Sequence, residues 1–189
     1  RIKQPWVIPQ PVGGFLHHAI VQNIYQDLRS SLSLIVDCGF FTVDWIVTKG
    51  LKVAFERSGS TPGGVSQILA KLAQAIADEV QEPFNDVARL DDALRNGHRL
   101  ELYGRPFNFG HLLPRVRPVM DQVCQRLLDT VGAMSDIGTV VLVGGGAPLY
   151  QDAIRKICKR NPLVLVKDPM HANVKGFYLA GEERLKNDG

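Results

Sequence analysis

Cysteine is scarce in this sequence: Cys38, Cys124 and Cys158 are the only three, and no two stand in a short C-x-x-C pair. That spacing excludes the usual structural zinc sets and a dense disulfide framework. It fits a reducing compartment in which each thiol is a small apolar filler. Charge of one sign is lacking too. Lys and Arg number 22 against 19 Asp and Glu, a net +3, well short of the dense basic face that binding a phosphate backbone requires. No apolar run reaches the roughly 18 residues a membrane span needs, and the first residues carry no charged-then-apolar leader. Together these absences predict a cytoplasmic protein with no direct nucleic-acid contact and no membrane contact.

What is present suits a real core. The chain has 189 residues, 45% of them hydrophobic, and a domain of this size buries roughly 70% of the surface its unfolded chain exposes. The start at Arg1 without a methionine and the polar ending from Glu182 to Gly189 suggest a piece of a longer polypeptide.

Local signals give the order of elements. Pro5, Pro9 and Pro11 around Trp6-Val7-Ile8 predict an incoming strand or linker closed by Gly13-Gly14. Leu16, Ile20, Ile24 and Leu28 then predict a helix ending near Arg29. Leu32 to Asp37, Thr42 to Thr48 and Leu51 to Arg57 read as three strands of an antiparallel meander, and Ser58 to Gly64 as a loop. Val65, Ile68, Leu69, Leu72, Ile76 and Val80 mark a helix, and Val87, Leu90 and Leu94 a shorter one. A hairpin is expected between Arg99 and Phe109, and a long helix carrying Val116 to Val131 with Pro114 and Pro118 near its start. The last third alternates strand Thr139 to Val143, helix Tyr150 to Arg160, strand Leu163 to Val166 and helix Ala172 to Leu185, which implies parallel strands.

That order is α/β with a ribonuclease-H-like plan: a mixed five-stranded sheet flanked by helices, with a helical insertion. Residues 1–64 and 110–189 form the core, and 65–109 the insertion. In such a sheet the first strand lies beside the fourth, and ligands bind beyond their carboxyl ends.

Two motifs fall there. Asp37-Cys38-Gly39-Phe40-Phe41-Thr42-Val43-Asp44 is a D-x-G-x-x-T-x-D hairpin. Gly39 lets backbone approach a ligand, turn amides can face phosphate oxygens, Thr42 adds a hydroxyl, and Asp37 and Asp44 can hold magnesium largely through its waters. A plain hairpin with strand-capping aspartates satisfies the same residues. Val143-Gly144-Gly145-Gly146-Ala147 runs a buried strand into three glycines and a helix, which lets a bulky group lie against the turn. Gly63-Gly64 leads into a helix in the same way, as an anion site or a simple cap. The five histidines show no ligand spacing and are expected at the surface or at caps. No G-x-S-x-G nucleophile elbow occurs.

The Asp37–Asp44 hairpin resembles the second phosphate motif of the superfamily of actins, chaperone ATPases and sugar kinases, and Val140 to Ala147 resembles its adenosine motif. Asp168-Pro169-Met170-His171-Ala172-Asn173-Val174-Lys175-Gly176 is similar to the terminal A-N-V-x-G helix of the ParM/StbA plasmid-segregation actins. Gly39 to Trp45 is similar to the StbA-type family of the PRTRC gene set. The resemblance implies the C-terminal half of a two-lobed ATPase. ATP or GTP with Mg2+ would lie between the lobes, the protein would self-associate into filaments, and a DNA-bound adaptor protein would be a partner. The N-terminal domain, with the first phosphate motif, would be missing here, so the isolated fragment would be inactive. On this reading Asp37 is the catalytic and metal carboxylate and Asp44 a second metal candidate. Gly39 and Thr42 contact phosphates, and Gly63, Gly64, Gly144, Gly145 and Gly146 approach the nucleoside. Arg115, Arg117 and Asp121 are candidates for the ribose, and Phe40 departs from the small residue common after the motif's glycine. A small-molecule or sugar kinase of the same superfamily is the alternative. A ribonuclease-H-like nuclease is disfavoured because Gly144 to Gly146 stand where its second carboxylate belongs.

Overall fold

Strand parity organises this protein, whose computed structural model describes residues 7–24 and 30–187. β1 (Leu32–Cys38), β2 (Thr42–Lys49) and β3 (Lys52–Pro62) form the antiparallel meander, and β6 (Ile137–Val143) and β7 (Leu163–Leu165) extend it in parallel. The order is β3-β2-β1-β6-β7, with β6 beside β1 as the connectivity predicts. β4 (Arg99–Leu102) and β5 (Arg105–Asn108) make a separate hairpin where one is expected.

Both faces of the sheet are covered. Leu34, Val36 and Cys38 of β1 point to one side, with Val43, Trp45, Val47, Val140 and Leu142. There they meet α2 (Val65–Val80), α4 (Arg117–Val131) and α5 (Ala147–Ile157) in one apolar cluster that also takes in α3 (Val87–Arg95). Ile35, Ile46, Val141 and Val143 point to the other side, against α1 (Gln10–Val21) and α6 (Ala172–Asn187). Since side chains alternate along a strand, Asp37 shares the face of Ile35 and is directed towards α1 and α6.

Three sequence expectations are corrected. Gly13-Gly14 do not close a linker; they lie inside α1, whose first turn tolerates Pro11 because its amide needs no intrahelical partner. The reason is tertiary. A Cβ on Gly176 would fall 1.7 Å from the Gly13 carbonyl oxygen, so α1 and α6 cross backbone to backbone and only glycine fits the contact. α1 stops at Val21 and the chain turns at Gln22-Asn23, with Asn23 at φ +54, so the expected helix does not run on through Ile24; its remainder to Leu28 and Arg29 lies outside the described residues, as does Trp6. Ser58 to Pro62 are strand and not loop: Thr42, Val43, Asp44 and Trp45 pair with Pro62, Thr61, Ser60 and Gly59. The third concerns His17 and His18, which are buried on α1 at 9% exposure each, against the surface role expected. Burial holds both imidazoles below the usual histidine range, helped at His17 by Lys175 and at His18 by His17.

β3 reaches its full length by a bulge. Trp45 pairs with Gly59 but Val47 with Ala54, so Phe55 to Ser58 stand opposite Ile46 alone. The Ser58 hydroxyl repairs the ladder by accepting from Val47 N at 3.2 Å and donating to Ala54 O at 2.7 Å. Arg57 leaves the bulge to donate to Val131 O, Ala133 O and both Asp136 oxygens, which ties β3 to the end of α4.

Candidate functional site

The carboxyl ends of β1 and β6 bring the two sequence motifs together. Asp37 lies directly opposite Asp44 across the β1–β2 pair and next to Val143 of β6. It is 2% exposed. Its Oδ2 accepts from Asn173 Nδ2 at 2.6 Å and from Gln10 Nε2 at 3.2 Å, while Oδ1 sits where a Cβ on Gly144 would fall, 2.4 Å away. Burial pushes the Asp37 carboxyl above its usual range; the Asn173 donor pulls it back, the Asp44 charge raises it further, and Gln10 lowers it.

The three glycines divide into two roles. Gly144, at φ +86, could accept no side chain without meeting Asp37 Oδ1 and the Cys38 carbonyl at 2.5 Å. Gly146 donates to Cys38 O at 2.8 Å and faces Val65 and Cys38 at under 3.5 Å. Both therefore serve to seat the glycine turn against the hairpin. Gly145 meets only the Met170 side chain, no nearer than 3.4 Å. It is the glycine of the three whose missing side chain leaves open surface, and exposed Met170 is its wall. Gly144 N donates to Pro169 O at 2.8 Å, which brings the Pro169–His171 turn into the same site. Asp168, just before that turn, accepts from Lys175 and His171, and these hydrogen bonds hold its carboxyl below the usual range.

The hairpin turn is anchored from the other side. Gly64, Val65 and Ser66, at the start of α2, donate to the carbonyls of Phe41, Gly39 and Phe40 at 3.1, 3.1 and 2.8 Å. The helix end that the sequence offered as an anion site is thus filled by the hairpin's own carbonyls. Gly63 is held differently: Val123 lies 2.4 Å from its virtual Cβ, and the buried Tyr150 hydroxyl donates to its carbonyl. Gly39 N donates to Thr42 O at 2.9 Å, and the Thr42 hydroxyl donates to Asp44 Oδ2 at 2.9 Å, so that hydroxyl keeps only its lone pairs for a ligand. Among the described residues the amides of Phe40 and Phe41 have no protein acceptor. Their rings do not turn into the core. They are 49% and 72% exposed and meet edge to face at 4.9 Å.

The donor set is all oxygen. Asp37 and Asp44 face each other with no cysteine or histidine joining them, and no group of three or more such ligands exists among the described residues. Two carboxylates on one face of the sheet, joined by no softer ligand, fit the chemistry of Mg2+, which keeps most of its waters and takes one or two carboxylates plus ligand phosphates. Arg115, Arg117 and Asp121 are exposed at or before the start of α4, Arg115 lying 3.6 Å from Asp78. Sequence reasoning missed Gln10, Asn173 and Met170. The A-N-V-x-G stretch marked Asn173 as part of a motif, but its partner is 136 residues away.

The family described as archaeal actin homologue MreB-like, C-terminal, matches residues 35–156. No curated protein matches the chain. The crystal structure of the archaeal actin homologue Ta0583 superposes with a TM-score of 0.80 at 23% identity, covering 93% of this chain and 55% of that one. A ParM filament structure from Clostridium botulinum gives 0.77 at 18% identity, covering 97% and 56%. Bacillus thuringiensis ParM with ATP gives 0.55 at 15%, covering 82% and 47%. The chain therefore has the actin-like fold and spans about half the length of the structures it matches.

Proposed function

The chain belongs to the family of actin homologues described as archaeal MreB-like, C-terminal, and from that premise we propose that it is the nucleotide-binding C-terminal lobe of an actin-like ATPase. In this reading ATP or GTP binds with Mg2+ at the junction of the two motifs. Asp37 and Asp44 hold the cation, the Gly39–Thr42 turn receives the phosphates through its free amides, and Gly145 with Met170 receives the nucleoside. Gly63, Gly64, Gly144 and Gly146 shape the pocket from behind. Residues 65–109 are the insertion on the core formed by 1–64 and 110–189.

One observation carries the proposal: Gly144 and Gly146 are packed against Asp37 and Cys38 so that the glycine turn and the acidic hairpin form one continuous surface. A plain hairpin has no need of that second motif. Self-association into filaments, service in plasmid segregation with a DNA-bound adaptor, and an N-terminal lobe that completes the cleft belong to the same reading. It draws support from the fold shared with the ParM filament.

Calorimetry on the full-length protein tests it, followed by pelleting of the same samples. Wild type is expected to bind ATP in a magnesium-dependent way and to sediment with it, and Asp37→Ala to do neither. Absence of binding by wild type would refute the nucleotide site. Binding without pelleting would refute the filament and leave a monomeric nucleotide enzyme.

A further inference from the structure

We infer that Asn173 is the positioning residue of the site carboxylate: its Nδ2 fixes Asp37 towards the bound cation, and its Oδ1 ties that setting to the backbone of α1. The inference rests on the proposed nucleotide site and deepens it.

Gly14 N donates to Asn173 Oδ1 at 2.9 Å, and Asn173 Nδ2 donates to Asp37 Oδ2 at 2.6 Å. The amide has one orientation that serves both neighbours. Turned over, it would set an NH2 against the Gly14 N–H and a carbonyl against a carboxylate. Of side chains this size, aspartate has no donor and leucine has neither group. The short distance to Asp37 is that of a charge-assisted bond. The second donor to the same oxygen, Gln10, is longer at 3.2 Å. Without Asn173 the carboxylate is left to that weaker contact, and its terminal torsion is a soft one.

The backbone of Asn173 is equally fixed. Ala172 before it is fully buried, and a Cβ on Gly13 would lie 2.5 Å from the Asn173 carbonyl oxygen. Gly176, one turn further on, touches Gly13. The crossing of α1 and α6 therefore delivers the amide to Asp37, and the cation site and the crossing share one side chain.

The test uses the full-length protein and a fluorescent ADP analogue titrated in excess Mg2+ and in EDTA. Wild type is expected to bind more tightly with magnesium. Asn173→Leu is expected to lose about tenfold or more of that magnesium enhancement, the equivalent of one charge-assisted hydrogen bond, and to keep its EDTA affinity within about twofold. A variant that keeps the full enhancement, or weakens equally in both buffers, overturns the inference, since a purely structural role moves both affinities together. Asn173→Ser, which removes the reach without adding bulk, repeats the comparison if the leucine variant does not fold.

A ligand-free arm decides the matter separately from the nucleotide reading. Asn173→Leu should lower Tm by about 3–8 °C with Asp37 present and by less than half of that in an Asp37→Leu background. Equal losses in the two backgrounds overturn the positioning role. If wild type shows no magnesium effect, the nucleotide reading fails, and this coupling alone decides whether Asn173 sets Asp37.

Discussion

A single methyl group added at Gly144 and another at Gly145 should have opposite consequences, although the two residues are neighbours in one turn. Gly144 sits at φ +86, where an L side chain costs about 1–2 kcal/mol. Its new Cβ would also lie 2.4 Å from Asp37 Oδ1 and 2.5 Å from the Cys38 carbonyl, and backbone cannot swing away as a flexible side chain can. Overpacking of this kind adds about 1–3 kcal/mol. Gly144→Ala should therefore lose about 3 kcal/mol, or roughly 6–12 °C in Tm for a chain of this size. At Gly145 the nearest atom to the new Cβ is the end of Met170, at 3.4 Å, and φ is not positive. Gly145→Ala should change stability by less than about 1 kcal/mol, with a gain allowed because alanine restricts the unfolded chain. Its cost should appear in nucleotide affinity. Urea unfolding followed by circular dichroism, beside titrations of both variants with ATP and magnesium, measures each. Equal losses of stability, or a folded Gly145→Ala that binds like wild type, would refute the division of labour between the glycines.

Gly176→Ala places a Cβ inside the Gly13 carbonyl, so α1 and α6 must part; a loss of at least about 3 kcal/mol in urea is expected. Arg57→Ala should destabilise by about 1–2 kcal/mol through the carbonyls of Val131 and Ala133 and the half-exposed Asp136 carboxylate. Asp136→Ala should cost less than Arg57→Ala, because the carbonyl bonds survive it; the two denaturation midpoints decide. His17 and His18 have folded pKa values below 6.5, their unfolded value. Above that pH neither state takes a proton and the stability they allow is complete. As pH falls through 6.5 the unfolded chain protonates first, so stability is lost with acid until the folded values are passed. Urea midpoints should drop as pH is lowered through 6.5, and His18→Phe should flatten the slope.

Much of the sheet was legible because its signals are local. β-Branched runs at short spacing gave the meander, and alternation of strand and helix gave the parallel pair and hence the β1–β6 junction where both motifs meet. The elements misread are those whose local signals are overruled from a distance. Pro9, Pro11, Gly13 and Gly14 spell a linker in any local code; yet Pro9 caps α1 and the other three lie inside it, where the glycines admit the crossing with α6. Ser58 to Pro62 are small and polar, and they extend because β2 offers them a ladder. At the site the acidic residues and glycines were readable as motifs. Gln10 and Asn173, which hold Asp37 from 27 and 136 residues away, carry no sign of each other in the sequence. Nor could the start of α2 be recognised as already filled, since its acceptors belong to a turn some 25 residues earlier.

That filled helix end makes α2 a lever with its foot on the acidic hairpin. Three hydrogen bonds join Gly64, Val65 and Ser66 to the tip of the turn, and the helix above them runs 16 residues to Val80. At 1.5 Å per residue it is about 24 Å long, so a tilt of about 5° at the foot carries the far end through about 2 Å. Any tilt of α2 that followed the hairpin would therefore be larger at Val80, and at the α3 and β4–β5 segments that follow it, than at the turn itself. A spin label near Val80 would read the state of the hairpin at a distance.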